Sequence, residues 1–508
     1  MWRSERSVFG HKGCNEVAMR SQHKNESQYS EIHGHVLLAS LVLIIILSAL
    51  SMTAFYLAGQ DVVGISAMRE ESTALELADA ATELAMSWFH DSTSTPPSIA
   101  GLLEKRQDDP VSGPSFFDAT GRSQFIGNPD RPDIFLDAIN SADERLLNSP
   151  PSGFSGPLLE LGRLEKLKVY GPSQPGLLGT LEVTASTVGR RPIARTVRFQ
   201  LGALNIPAVR AAVQTGEGLG ALRPGGESPV LVHWGDTRVM ADMVVNRIED
   251  LIVKNTAASV TDQSYELMRR LEDRWSDYWI GGTVLFLSPP TSATPFPLNV
   301  RINQHPTPGV RLDRWDYDLL KRTALRYGTY YRIDRGGRLH LSGAMESDPG
   351  LLPADALSSP AVGQSHGLVF IDTVDGEAPR PDNLGTLVMD ADYVEALLVV
   401  QGHVMVKPSG PGRSVPVLSP APEDSTSLGS RIPVTLSGIH LNGLLYAAGR
   451  VTLAGNARIY GAVMTPATVA AESTGSHMEV WYNADLGKGL FRGLPVVHRV
   501  PGTWQVQY

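Results

Sequence analysis

Four short stretches carry residue types that could do chemistry. Val232-His233-Trp234-Gly235-Asp236 sets a histidine and a carboxylate three apart, the ingredients of acid–base work or half a metal site. No second ligand cluster lies nearby, and the stretch reads as a structural turn. Phe370-Ile371-Asp372-Thr373-Val374-Asp375-Gly376 runs a strand into two carboxylates, which could bind a cation or orient a sugar. The commoner use of such acids is to cap a solvated turn, and that is the expectation here. Gly363-Gln364-Ser365-His366-Gly367 matches the G-x-S-x-G pattern of a nucleophile elbow. An elbow needs a strand before the serine and a helix after it. Here a Ser/Pro-rich loop precedes and the strand-like Leu368-Val369-Phe370-Ile371 follows, so a plain loop is expected. His440 and His477 flank a glycine repeat and are the local candidates for a catalytic histidine; both read as surface or hydrogen-bonded residues. There is no G-x-x-x-x-G-K-[ST] phosphate loop and no H-E-x-x-H helix. The expectation is a non-enzymatic protein without a cofactor.

The elements that would hold any such site begin with an anchor. Val36 to Gly59 reads VLLASLVLIIILSALSMTAFYLAG without a charge. At about 1.5 Å per residue it spans about 36 Å, against a hydrocarbon core of about 30 Å. It is too long for the apolar core of a cleaved secretory signal. Arg3, Arg6, Lys12, Arg20 and Lys24 precede it together with four acidic residues, and Asp61, Arg69, Glu70 and Glu71 follow. That bias places the N-terminus in the cytoplasm and the distal domains outside the membrane. Residues 61–90 contain no proline, and Ile65, Met68, Leu75, Ala78, Ala81, Leu84, Ala85 and Trp88 recur mostly three or four apart. One helix from about 35 to 90 would be about 84 Å long. Pro96-Pro97 lies beyond its end.

Composition bounds the rest. The chain has 508 residues, 42% hydrophobic and 19% charged, which suits folded cores rather than disorder. A net charge of −9 with no basic cluster gives nucleic-acid binding no support. The single cysteine, Cys14, precedes the anchor, which excludes a disulfide framework in the distal part. Gly (49) and Pro (35) are plentiful and helical patterns scarce after residue 90, favouring short strands and turns. Leu181, Val183 and Ala185 alternate with polar residues, Gly189-Arg190 turns, and Val197, Phe199 and Leu201 alternate again, as in a hairpin. Residues 246–280 and Asp313 to Tyr327 read as amphipathic helices, with a strand candidate at Thr283 to Leu287.

The clearest internal pattern is LNGLLYAAGRVTLAGNARIYGAVMT at 441–465. Gly443, Gly449, Gly455 and Gly461 are each six residues apart. Mostly apolar residues follow each glycine at two positions (Leu445, Val451, Ala457, Val463) and four (Ala447, Leu453, Ile459, Thr465). Glycine recurs where a turning chain needs positive φ or no Cβ. The pattern suits a short β-solenoid, with an antiparallel meander of short strands as the alternative. The residues just before the glycines match the acyltransferase hexapeptide poorly.

Gly34 before the apolar helix, followed by Ala74-Leu75-Glu76-Leu77-Ala78-Asp79-Ala80-Ala81-Thr82-Glu83-Leu84-Ala85, resembles the N-terminal region of PilX-like and other minor type IV pilins. The resemblance covers residues 30–90, with Asp79 where the family usually has Glu. The hairpin near 181–201 looks like the one that often closes the pilin-like part. The glycine repeat followed by Trp481-Tyr482-Asn483 looks like the C-terminal β-repeat of many PilX-like proteins. The chain departs from the family at His35, where Phe or Met is usual, and at Ala39, where major pilins have Glu. The resemblance implies cleavage between Gly34 and His35 by a prepilin peptidase. It also implies a role in type IV pilus assembly at the inner membrane, with lipid and the helices of pilins or minor pilins as partners. Packing would use Ala39, Ser40, Ser48 and Ala54 in the anchor and Ala78, Asp79, Ala81 and Ala85 beyond it, small residues permitting close approach. Asp79 and Glu83 are expected to stay solvated, with pairing to a basic partner as the alternative. The fold expected is α+β: leader 1–34, long helix 35–92, pilin-like region 93–206, first distal β segment 207–245, mixed α/β insertion 246–345, and glycine-rich β-solenoid-like domain 346–508. The alternative function is a membrane-tethered envelope enzyme or glycan-binding protein using the solenoid face.

Overall fold

The computed structural model describes residues 29–90, 95–103, 107–109, 113–115, 122–150, 153–174, 176–189, 192–204, 209, 211–220, 230–248, 277–288, 300–304, 310–342, 348–418, 433–473, 475–492 and 494–507. Most of the expected leader, and the helix expected over 246–280 except at its two ends, lie outside these residues. Both helices and many strands are present, an α+β protein. It divides into two compact units, residues 1–70 and 71–508.

The first unit contains the start of the helix Tyr29–His90. Within it, Leu38–Ala58 is long and apolar enough to cross a membrane, and its side chains are exposed. No proline or charge interrupts the run. The hydroxyl of Thr53 donates to the Ala49 carbonyl at 2.8 Å, so this polar group is satisfied within the helix itself.

In the second unit the helix's last turns lie on an antiparallel sheet. Ala74, Ala78, Ala81 and Ala85 are buried on one face, spaced as a helical stripe, with Leu77, Met86, Trp88 and Phe89 beside them. The sheet runs Ile134–Asp137, Gly162–Tyr170, Gly179–Thr187, Ala194–Ala203 and Val497–Arg499, with Gln505–Gln507 also on Ala194–Ala203. Gly179–Thr187 and Ala194–Ala203 form the expected hairpin, Val183 opposite Val197. Leu181, Val183 and Ala185 face the helix, whereas Glu182 faces away and pairs with Lys168 at 2.9 Å. This is the two-residue alternation of a strand with one buried face.

Residues between these strands build a stack of parallel strands in two sheets. Successive segments place one strand in each: Val394–Val400 then His403–Val406, Leu441–Ala447 then Val451–Leu453, Ala457–Thr465 then Thr468–Ala471. Every pairing among these is parallel. Gly443 sits opposite Gly461, so three six-residue units close one turn of the stack, and antiparallel pairing is ruled out there. Leu445, Ala447, Val451, Leu453, Ala457, Ile459 and Val463 all enter the core between the sheets.

The stacking order departs from chain order. The C-terminal half of Ala457–Thr465 pairs with Val213–Thr215, and its N-terminal half with Met478–Tyr482. Val230–His233 then adds to Met478–Tyr482. One turn of the stack is therefore completed by two distant stretches of chain. Thr237–Val239, Tyr278–Ile280 and Val300–Arg301 continue the first sheet, so part of 246–345 belongs to the same sheets as 441–465 rather than to a separate body. The end of the chain differs from the expected extent 346–508 as well. Val497–Arg499 leaves the stack and pairs with Leu201–Ala203, closing the antiparallel sheet. The stack is thus inserted between two neighbouring strands of that sheet.

Candidate functional site

Two charged clusters fasten the helices of the second unit, and both engage acids expected to be solvated. Arg499 is carried by the strand Val497–Arg499. Its guanidinium donates to Asp79 at 3.1 Å, to Thr82 Oγ1 at 2.6 Å and to Glu83 at 3.0 Å, and lies 4.5 Å from the centre of the Phe199 ring. Asp79 and Glu83 are one helical turn apart, so one planar fork reaches both. Glu83 also accepts from Arg326, at the end of the helix Arg314–Tyr327. Arg195 adds a contact to Glu71 at 2.7 Å. Solvation of Asp79 and Glu83 is therefore corrected: both are held by cations of their own chain.

Asp372 is corrected in the same sense. It is fully buried and accepts from Tyr317 Oη at 2.7 Å, Tyr330 Oη at 2.8 Å and Lys321 Nζ at 2.6 Å. Burial, then the hydrogen bond to the carboxylate, push the Tyr317 phenol well above its ordinary range; burial does the same for Tyr330. Tyr317 and Lys321 come from the helix Arg314–Tyr327, whose first turn is capped by Asp313 accepting from the Asp316 amide. The cluster pins that helix to the strand Leu368–Asp372. Asp375 stays exposed, accepting from the Glu377 amide and from Thr373, Asn383 and Arg380, and its pKa is lowered to about 2, chiefly by the Glu377 amide.

The other chemical candidates contact groups of their own chain. Ser365 donates to the Glu395 carbonyl at 3.0 Å and accepts from the Gly367 amide at 2.9 Å. His440 bonds the Gly410 carbonyl through Nε2 and the Arg458 amide through Nδ1. His477 lies 4.0 Å from Glu479. His233 is buried flat against Trp481, ring centres 4.6 Å apart, and burial lowers its pKa to about 4. Among the described residues no group of three His, Cys, Asp or Glu is placed to hold a metal ion.

Gly34 and His35 lie within the first turns of the long helix. Ala39, Ser40, Ser48 and Ala54 lie on its exposed apolar part, whereas Ala78, Ala81 and Ala85 are buried by their own unit. Of the repeat glycines, Gly443 and Gly461 adopt φ of 142° and 154°, and a Cβ on either would strike a backbone carbonyl of the adjacent turn, Ala396 or Gly443. A Cβ on Gly449 would strike His403, whereas one on Gly455 would meet nothing nearer than 3.7 Å.

No family model and no curated protein matches the chain. Among solved structures, the chain is similar to the competence-associated pilin ComZ from Thermus thermophilus at a TM-score of 0.24 and 11% identity, over 68% of this chain and 83% of that one. A likeness at that level carries no argument about function.

Proposed function

We propose that this chain is a membrane-anchored, pilin-like envelope protein of the PilX type, acting without catalysis in type IV pilus assembly or in presenting its distal β stack. In this reading Leu38–Ala58 sits in the inner membrane, the N-terminus is cytoplasmic and the second unit lies outside. The stack is read as a short β-solenoid. The observation that carries the proposal is one helix that exposes an apolar membrane-length segment and buries an alanine stripe, Ala74 to Ala85, on an antiparallel sheet. The engagement of Ser365 and His440 with backbone groups supports a non-catalytic role.

The filament fraction tests it. Cells that make pili are sheared, and the released filaments are probed with antibody to the second unit. The chain is expected to appear there; confinement to the cell membrane overturns the pilin role. N-terminal sequencing of the chain from that fraction is expected to begin at His35. A charge at Ala81 does not test filament packing, because Ala81 is fully buried in its own unit. Ser48→Trp, on the exposed apolar segment, is the suitable probe. It is expected to lower the amount in filaments without changing the unfolding of the second unit.

A further inference from the structure

A cleft of about 1280 Å³ opens beside the second sheet of the parallel stack, larger than the roughly 300–1,000 Å³ of a small-molecule pocket. Val244, Leu285, Thr468 and Ala470 line it, while their neighbours Met243, Val245, Val469 and Ala471 belong to the core. The start of the helix Arg314–Tyr327 and the segment 378–384 also line it.

Its charges are uneven. Arg311, Arg314 and Arg450 line the cleft exposed, and none has a guanidinium partner among the described residues. Arg380, also in the lining, is held by Asp375 and Asp382. Glu217, Asp242 and Asp313 line the same space, and Asp242 and Asp313 already accept backbone amides. Gln401 is fully buried in the lining, with neither its carbonyl oxygen nor its amide nitrogen hydrogen-bonded among the described residues.

We propose that this cleft binds an acidic oligosaccharide, a sugar chain bearing carboxylates. Guanidinium groups pair with carboxylates in a two-bond fork, and Arg311, Arg314 and Arg450 supply three such forks. The carboxylates of Glu217 and Asp242 accept from sugar hydroxyls. A polyphosphate strand fits less well, because it offers Glu217 and Asp242 in the same lining no hydroxyl donors, whereas a sugar chain carries hydroxyls as well as carboxylates. The inference goes beyond the pilus reading and stands or falls separately, since it concerns soluble ligand and not filament entry.

The experiment is calorimetric titration of the full chain in detergent with a hexamer of galacturonic acid, a hexamer of glucose and inorganic polyphosphate. The galacturonate hexamer is expected to bind at least tenfold more tightly than either of the others. Arg314→Ala with Arg450→Ala is expected to weaken it at least tenfold. Absence of binding, equal binding of the glucose hexamer, tighter binding of polyphosphate, or an unaffected double variant overturns the proposal. A readout on the unaltered chain guards against misfolding of the variant. The hexamer is expected to protect Arg314 and Arg450 from phenylglyoxal, and equal modification with and without it also overturns the proposal.

Discussion

Arg499 contacts two acids and a hydroxyl on the long helix from a strand near the other end of the chain. Arg499→Ala removes the donor and leaves Asp79 and Glu83 beside an emptied space. A loss of about 1–3 kcal/mol is expected in denaturant unfolding, and Arg499→Lys is expected to recover only part of it, since an ammonium lacks the fork. Asp372→Asn leaves Lys321 without its counter-charge in a buried site, and a loss of about 3–5 kcal/mol is expected. Histidines add a pH term. Burial lowers His90, His233 and His498 to about 4. Their unfolded forms take up protons near pH 6.5 while the folded forms do not. The stability they contribute is therefore complete above about pH 6.5 and lost as pH falls toward 4. Melting temperature should drop across that window; His498→Gln should flatten the drop, and an unchanged slope would sink the assignment. The sequence leaves pairing of Asp79 and Glu83 open, but it does not identify the partner of these acids or of Asp372. Arg499 and Asp79 are 420 residues apart, and Asp372 and Tyr317 are 55 apart. Strand ends and helix faces could be read from the sequence, but which of them meet depends on topology.

At the scale of elements, the glycine repeat makes a sharp contrast testable. Gly461→Ala puts a methyl group into the Gly443 carbonyl at a φ that favours glycine, and is expected to abolish folding of the stack. Gly455→Ala is expected to change stability by less than about 0.5 kcal/mol, because its nearest neighbour is 3.7 Å away. Far-ultraviolet circular dichroism and urea unfolding of both variants check this. The repeat could be read at 441–465 because its turns there have equal length, so glycine and buried side chains fall in register. Between Leu368–Asp372 and Thr386–Met389, and after Val406, connections of other lengths break the period. The same core positions are occupied there, but no fixed spacing announces them. The long helix was legible for a simpler reason: an unbroken apolar run followed by an apolar stripe without proline. That its outer stripe is covered by its own sheet follows from contacts the stripe alone cannot specify.

For the molecule as a whole, the segment Leu38–Ala58 is long and apolar enough to cross a membrane, and the anchoring proposed for it can be tested. Ile45→Arg together with Leu47→Arg adds about 6–8 kcal/mol to insertion at a helix centre. The double variant is expected to leave the alkali-resistant membrane fraction, read by carbonate extraction and blotting. The second unit should keep its unfolding profile, since its cores are formed by residues 77–497. The insertion of the stack between Ala194–Ala203 and Val497–Arg499 was not legible, because nothing in Val497-His498-Arg499 distinguishes a returning strand from one more layer of the stack.

The turn of the stack completed by Val213–Thr215 and Met478–Tyr482 also decides how late in synthesis the stack can close. The ribosome delivers Val213 to Val245 long before Ala457 to Tyr482, so the early strands emerge without the neighbours on which they pair. Long-range pairing of this kind is slow and leaves open strand edges while synthesis continues. A nascent chain arrested before residue 457 would present Val213–Thr215 unpaired on one side, with Thr237–Val239 on the other, and Val230–His233 without the one strand it pairs with among the described residues. Chaperone dependence during synthesis should therefore end only once Met478–Tyr482 has emerged and can pair with both Ala457–Thr465 and Val230–His233.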